Sequence, residues 1–352
     1  MIDVIAAHRS PIVTALREID RSLCHALAPV NRWGDDLRSR LLDFTERGKL
    51  IRGSLVAAAS TALGREPDRA VYTVAAAVEL VQSFLLIHDD IMDEDPLRRS
   101  APAVFEQYRR LGLEHGYRNP GRFGESMGIC AGDVAVLVGF AAVGAIDASP
   151  TTRVRLTTLL ANEIAKVGVA QMADVSNGHA PQPATEAEIV SVYRFKTGRY
   201  TFSLPLMLGA VLADADEPTI DALSRWGEVQ GIIFQIRDDQ LGLMQDTSEI
   251  GKPAGSDVAA DKQTLHRLVL LDRLPGSGYE DVRAYFGQDA PRPDQIARIR
   301  EALSATGTIV AIEERVRALQ SEAAAELSSL DLPDAARRVF GAIDAYNACR
   351  TV

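Results

Sequence analysis

The residues best suited to chemistry gather in the stretch His88-Asp89-Asp90-Ile91-Met92-Asp93-Glu94-Asp95. Asp89 and Asp93 stand four positions apart, so a helix through them presents both carboxylates on one face with Cβ atoms about 5–6 Å apart. At an effective dielectric near 20 these charges repel by roughly 3 kcal/mol, a penalty that a bridging cation reverses. Hard oxygen donors of this kind suit Mg²⁺, which keeps several waters and shares its coordination with substrate phosphates. A second acidic pair, Asp238-Asp239, follows Phe234-Gln235-Ile236-Arg237 at the end of another apolar stretch. Taken singly, either pair also reads as a solvated helix end. Together they could hold several Mg²⁺ ions between them, and the guest such a cluster suits is a diphosphate.

Acidic walls alone would repel that guest, and the sequence supplies cations in short groups. These are Gly48-Lys49-Leu50-Ile51-Arg52, Arg98-Arg99 just after the first motif, Lys196-Thr197-Gly198, Gly251-Lys252-Pro253 and Lys262. Each alone is an ordinary solvated charge. Arg offers a fork to phosphate oxygens and Lys a point charge, so a set of this size could hold two diphosphates.

The elements that must position these residues are helical, because Ala, Leu, Glu and Arg fill segment after segment with few clustered β-branched runs. The pattern predicts helices over Val4 to Leu27, Asp35 to Arg47, Leu55 to Leu63, Pro67 to Met92, Gly128 to Ile146, Thr151 to Ser176, Glu186 to Phe195, Phe202 to Ala213, Pro218 to Met244 and Ala297 to Leu327. Three stretches rich in Gly and Pro read as irregular: Pro96 to Ser126, Thr247 to Thr264 and Leu274 to Pro293. No repeat or flexible linker interrupts the chain, so the expectation is an all-α protein with a single domain over residues 1–352.

Composition narrows the function classes. With 38 Lys and Arg against 48 Asp and Glu, a net charge of −10, nucleic acid is not the expected partner. Ile129 to Ile146, an 18-residue apolar run containing Asp133, reads as a buried core helix, short of the roughly 20 residues of a membrane span. Asp3, His8 and Arg9 interrupt any secretory signal, and Cys24, Cys130 and Cys349 offer no disulfide framework, so a cytoplasmic location is expected.

In their order along the chain these motifs resemble the trans-type isoprenyl diphosphate synthases of the polyprenyl synthetase family, most like a short-chain geranylgeranyl diphosphate synthase. Asp89-Asp90-Ile91-Met92-Asp93 with Arg98-Arg99 resembles the first aspartate-rich motif, and Phe234 to Asp239 the second. Gly48 to Arg52 resembles the GKxxR segment, and Lys196-Thr197-Gly198 the KTG element. Gly251-Lys252-Pro253, Asp257 and Lys262-Gln263-Thr264 follow the family's later pattern.

The resemblance implies a helical bundle around a central cavity, and head-to-tail condensation of an allylic diphosphate with isopentenyl diphosphate. It implies three Mg²⁺ ions per site, with Mn²⁺ able to substitute, held by Asp89, Asp93 and Asp238 and supported by Asp90 and Asp239. Arg98, Lys196, Lys252 and Lys262 would complete the shell of the allylic diphosphate, with Thr197 and Gln235 offering oxygens to the electron-poor carbon. Lys49, Arg52, Gln82 and Arg99 would bind isopentenyl diphosphate. In the family, bulky residues just upstream of the first motif limit product length, here Phe84 and Leu85. An aromatic followed by a smaller residue accompanies C20 products, and two aromatics accompany C15. A homodimer is also implied.

The chain departs from the family pattern at Gln82, where His is common, and at Gly242, where Asp is common, and Asp246, four residues past Gly242, is too far on for simple replacement. Gly53 and Leu50 stand where Pro and Arg are common. Two rival functions fit the sequence less well. A class I terpene cyclase usually carries an Asn/Asp-x-x-x-Ser/Thr-x-x-x-Glu second motif, and a noncatalytic partner subunit of a prenyl synthase typically loses the first motif, which is intact here.

Overall fold

The computed structural model describes residues 2–22, 24–244, 255–288, 291–330 and 332–348. In chain order its helices begin with α1 (Ile2–Ser22), α2 (Trp33–Glu46), α3 (Ile51–Ala62), α4 (Arg69–Met92), α5 (Val104–Glu114), α6 (Pro120–Gly144), α7 (Pro150–His179) and α8 (Glu186–Val192). A π-helical stretch, Tyr193–Ser203, leads to α9 (Leu204–Leu212) and α10 (Glu217–Met244). Then come α11 (Ser256–Ala259), α12 (Leu265–Arg273), α13 (Ser277–Arg283), α14 (Pro293–Ala305), α15 (Thr308–Ser328) and α16 (Asp334–Ala348). The only strands among the described residues are β1 (Leu97–Arg98) and β2 (Ala101–Pro102), antiparallel, with Leu97 opposite Pro102 and Arg98 opposite Ala101. The all-α expectation holds.

Contacts sort the chain into two compact units. The first comprises Met1–Ala161, Pro205–Ile220 and Leu332–Val339, and the second Asn162–Leu204, Asp221–Asp331 and Phe340–Val352. Sequence gives no sign of this division, because no linker marks it and each unit draws on separated stretches.

In the first unit, α4 starts where the Asp68 carboxylate accepts the Val71 N–H at 3.0 Å, an N-cap that satisfies one of the helix's orphan donors. From Ala70 to Ser83 all but Tyr72 and Thr73 are buried, as expected of a helix that is apolar on every side. α6 is as apolar as α4, and both are long and apolar enough to cross a membrane by length and composition. The most apolar window of α4 is 72% buried, that of α6 only 44%. The helix expected over Ile129 to Ile146 does pack into the core along α4, but it is longer than the run suggests and less covered than α4. α6 runs 25 residues, and Ile129 and Leu137 lie exposed on its outer face.

The stretch Pro96 to Ser126 is not the irregular loop expected. Arg99 and Ser100 both have positive φ, 54° and 60°, the pattern of the tight turn whose twist matches antiparallel strands, and α5 follows it. α6 then begins early, at Pro120 in its first turn, with the Asn119 side chain accepting from Arg122 N at 3.2 Å. The 274–293 stretch likewise contains α13.

In the second unit, α8 opens on a reciprocal capping box between Thr185 and Glu188. The helix expected over Ala297 to Leu327 is two, α14 and α15, separated at Gly307 with φ 68°. The amphipathic α16, whose residues divide between the two units, has no counterpart among the expected helices.

Candidate functional site

Asp89 and Asp90 occupy the last turn of α4, and the Asp93 N–H closes that helix onto Asp89 O at 2.8 Å. The three carboxylates are not equivalent. Asp90 is fully buried, and its Oδ1 accepts from Arg98 Nε at 2.6 Å and from Nη2. Burial pushes the Asp90 carboxyl up to about 6 despite the opposing Arg98 charge. Its Oδ2 is buried with no hydrogen-bond partner. Asp89 is half-buried, with Oδ2 3.8 Å from Arg98 Nη2, and Asp93 is exposed. Arg98, expected to contact diphosphate, faces Asp90 because the β1–β2 ribbon turns it back against the end of α4.

Around the start of α3 lies a second group. Arg99 donates to Phe44 O at 3.0 Å, its guanidinium stands 5.6 Å over the Phe44 ring, and burial lowers its pKa. Arg99 and Arg52 both act on the charge of Glu79, a buried residue of α4 that accepts the Gly53 N–H at 2.7 Å. Burial raises the Glu79 carboxyl while both cations oppose it. Gln82 is buried three positions further along the same helix, and Lys49 is exposed. Sequence reasoning missed Glu79. Its signal is a lone acid inside the apolar run Val74 to Val81. Phe84 and Leu85 are half-buried, and the Phe84 ring meets His88 edge-on at 4.8 Å.

In the second unit, a close approach sets the geometry. A Cβ on Gly231 would stand 2.0 Å from Gly198 Cα, so the π-helical stretch rests its backbone directly on α10, an approach that requires glycine at 231. Thr197 Oγ1 then donates to Gln235 Oε1 at 2.9 Å, and Gln235 Nε2 donates to Asp239 Oδ1 at 2.8 Å. The Tyr193 hydroxyl donates to Asp239 Oδ2 and accepts the Leu265 N–H at 3.1 Å. Lys262 Nζ lies 3.7 Å from Asp239 Oδ1 and 3.8 Å from Asp257 Oδ1. Asp257 first, then Asp239, hold the Lys262 ammonium well above its ordinary pKa. Asp239 is buried, and burial drives its carboxyl up to about 6 against Lys262, while Asp238 is exposed. Lys196 Nζ pairs with Asp174 at 2.6 Å. Tyr193 was missed, and nothing in its local sequence distinguishes it from core packing. Lys252 and Asp246 lie outside the described residues.

With this geometry in hand, comparison with known proteins is decisive. Residues 37–303 match the family model for polyprenyl synthetase. The chain belongs to the polyprenyl synthetase family. It is 33% identical to a short chain isoprenyl diphosphate synthase of Methanothermobacter thermautotrophicus over 69% of each chain. It is also 33% identical to a geranylgeranyl diphosphate synthase of Saccharolobus solfataricus over 74% of each. Among solved structures it is similar to geranylgeranyl pyrophosphate synthase from Corynebacterium glutamicum, crystallised with isoprenyl diphosphate and magnesium. That similarity has a TM-score of 0.90 at 30% identity and covers 97% of this chain and 98% of the other.

This polyprenyl synthetase is a prenyltransferase, and its carboxylates fit Mg²⁺. No three Asp, Glu, His or Cys side chains converge on one point among the described residues. Mg²⁺ is commonly held by one or two carboxylates plus substrate phosphates rather than by an all-protein cage. The donors on offer are hard oxygens, and Asp90 Oδ2 is a buried oxygen without a partner.

Proposed function

We propose that this synthetase condenses isopentenyl diphosphate head to tail with an allylic diphosphate, releasing pyrophosphate, with C20 geranylgeranyl diphosphate as product and C15 farnesyl diphosphate as the next choice. The observation that carries the reading is the pattern repeated in both acidic clusters: one aspartate is locked in the interior, with more exposed carboxylates and cations beside it. The relatives named as geranylgeranyl diphosphate synthases support the product class.

In this reading Asp89, Asp93 and Asp238 hold three Mg²⁺, replaceable by Mn²⁺, with Asp90 and Asp239 as supports. The bound ions would neutralise charge on the departing diphosphate. Lys196, Lys252, Lys262 and Arg98 bind the allylic diphosphate, and Arg98 also keeps Asp90 in place. Lys49, Arg52, Gln82 and Arg99 take the isopentenyl diphosphate. Thr197 has committed its hydroxyl proton to Gln235, so only lone pairs remain on Oγ1 to face an electron-poor carbon, which is the orientation such a carbon needs. The reaction also needs water kept from the allylic cation, because water would quench it. A homodimer completes the reading. The exposed apolar outer face of α6, with Ile129 and Leu137, suits a second copy, and the enzyme is assigned to the cytoplasm.

Chromatography of products after incubation with isopentenyl diphosphate and each allylic primer tests the reading. A C20 product is expected. Phe84→Ala should lengthen products by one or more five-carbon units, and Leu85→Phe should shorten them. An unchanged distribution in Phe84→Ala at comparable activity would make Phe84 ordinary packing. No elongation with any primer would remove the function.

A further inference from the structure

Glu79 carries a charge where the surroundings should exclude one. Only 3% of its surface is exposed, and it is the single ionisable residue from Val74 to Val81 of α4. A carboxylate taken out of water is costly unless it is paired and hydrogen-bonded, and its partners account for its place. α3 begins at Ile51 behind Leu50, which gives it no side-chain cap. The Gly53 N–H, at the third helical position where a capping oxygen ordinarily accepts, donates instead to Glu79 Oε1 at 2.7 Å. The two helices meet closely there, since a Cβ on Gly53 would stand 2.8 Å from Ala75 O. The same carboxylate answers two cations. Arg52 and Arg99 both favour its charge, while Arg52 and Arg98 oppose the charge on Arg99 and Glu79 supports it. Arg99 is held from its other side by Phe44 O and lies against the backbone of Gly48, where a Cβ would stand 3.1 Å from its guanidinium nitrogens. Arg9 of α1 in turn donates to Gly48 O at 2.5 Å and Glu46 O at 2.7 Å. Two guanidiniums gathered against their own repulsion suit a guest with several negative charges, because each offers phosphate oxygens a rigid fork. We propose that Glu79 is a positioning residue for the isopentenyl diphosphate site: its carboxylate pins the first turn of α3 and holds the Arg52 and Arg99 guanidiniums together to face the diphosphate. This rests on the assignment of isopentenyl diphosphate to Arg52 and Arg99 made above.

Removing the carboxylate separates positioning from plain electrostatics, because the two predict opposite signs. As one more negative charge Glu79 repels a diphosphate, and its loss should tighten binding. As the anchor of two guanidiniums its loss should weaken binding. Steady-state kinetics of the full-length enzyme with Mg²⁺, isopentenyl diphosphate and the allylic primer varied in turn, decide between them. Glu79→Gln keeps an oxygen for the Gly53 N–H and should raise KM for isopentenyl diphosphate about 10–100-fold. KM for the primer and kcat should stay within roughly threefold of wild type. Glu79→Asp restores the charge on a shorter arm, so it should recover most of the loss, and what remains should again fall on the isopentenyl KM. An isopentenyl KM in Glu79→Gln that is unchanged or lower overturns the proposal, as does an Asp variant no better than the Gln variant. Two KM values that rise together also overturn it, by reducing Glu79 to a support of the fold. If Glu79→Gln does not fold, Glu79→Asp carries the same test: a rise confined to the isopentenyl KM supports the proposal, and any other result overturns it. Arg52→Met is the control for the underlying assignment. An unchanged isopentenyl KM there removes isopentenyl diphosphate from this cluster, whatever the Glu79 variants do.

Discussion

The two acidic clusters reach the same local arrangement by different means. In each, an inner aspartate is buried with its carboxyl pushed up to about 6, Asp90 in one and Asp239 in the other, next to a less buried aspartate. Asp90 depends on a single guanidinium eight residues downstream, returned to it by a tight ribbon. Asp239 is held by Gln235 of its own helix, by Tyr193 from the π-helical stretch and by Lys262. A lock made by one residue fails when that residue is lost. A lock shared among several weakens in steps.

The largest effects should fall on the more exposed carboxylates, which test whether both clusters serve one reaction. Asp89→Ala and Asp238→Ala should each lower turnover by about 10²–10³-fold or more with the fold retained. Near wild-type rates in either, with Mg²⁺ present, would break the parallel between the clusters. Next comes Arg98→Met, which leaves the buried Asp90 without its cation. Breaking a buried pair this way costs about 3–5 kcal/mol, but Asp90 can escape by taking up a proton, so denaturant unfolding should find a smaller loss at pH 5 than at pH 8. Equal losses at both would show that charge does not hold Asp90. Tyr193→Phe should be milder, roughly 1–3 kcal/mol of stability and about tenfold in activity, since Gln235 and Lys262 remain. A loss matching Arg98→Met would show that the shared lock hangs on one hydroxyl.

Acid separates the buried carboxylates from a buried histidine. Asp90 and Asp239 have folded pKa values raised from 3.8 to about 6, so the metal-free folded state binds more protons in that window and gains stability as pH falls through it. His266 runs the other way. It is buried, neither ring nitrogen has a hydrogen-bond partner, and burial, then Arg237, lower its pKa from 6.5 to about 4. The unfolded chain then binds the extra proton, and stability falls as pH drops from 6.5 towards 4, by about 2 kcal/mol at pH 5. His266→Gln should therefore gain on wild type by about that amount between pH 8 and pH 5, measured by urea unfolding without metal. A constant difference would place the ring in contact with solvent.

Much of the site was legible in the sequence because its motifs are local. Asp89 and Asp93 share a helix face by spacing alone, and Gln235 reaches Asp239 by the same four-residue step. What escaped depends on chain returning from a distance. Arg98 is legible as a cation beside the first motif, but its pairing with Asp90 appears only once the ribbon, hidden in a Gly- and Pro-rich stretch, turns it back. Glu79 passes unremarked in an apolar helix, and its role appears only where Gly53 donates to it and two arginines act on its charge. The irregular reading of 96–126 failed because glycines that usually break helices are tolerated where close packing covers them.

By itself the sequence determined that the chain is helical, that carboxylates stand in two clusters and that cations accompany them, because periodicity and i, i+4 spacing are properties of a few consecutive residues. Only the tertiary structure decided which aspartate of each pair is buried and which stays nearer solvent. Burial and the direction of a partner's donor depend on what the rest of the chain places nearby: Arg98 for Asp90 and Tyr193 for Asp239.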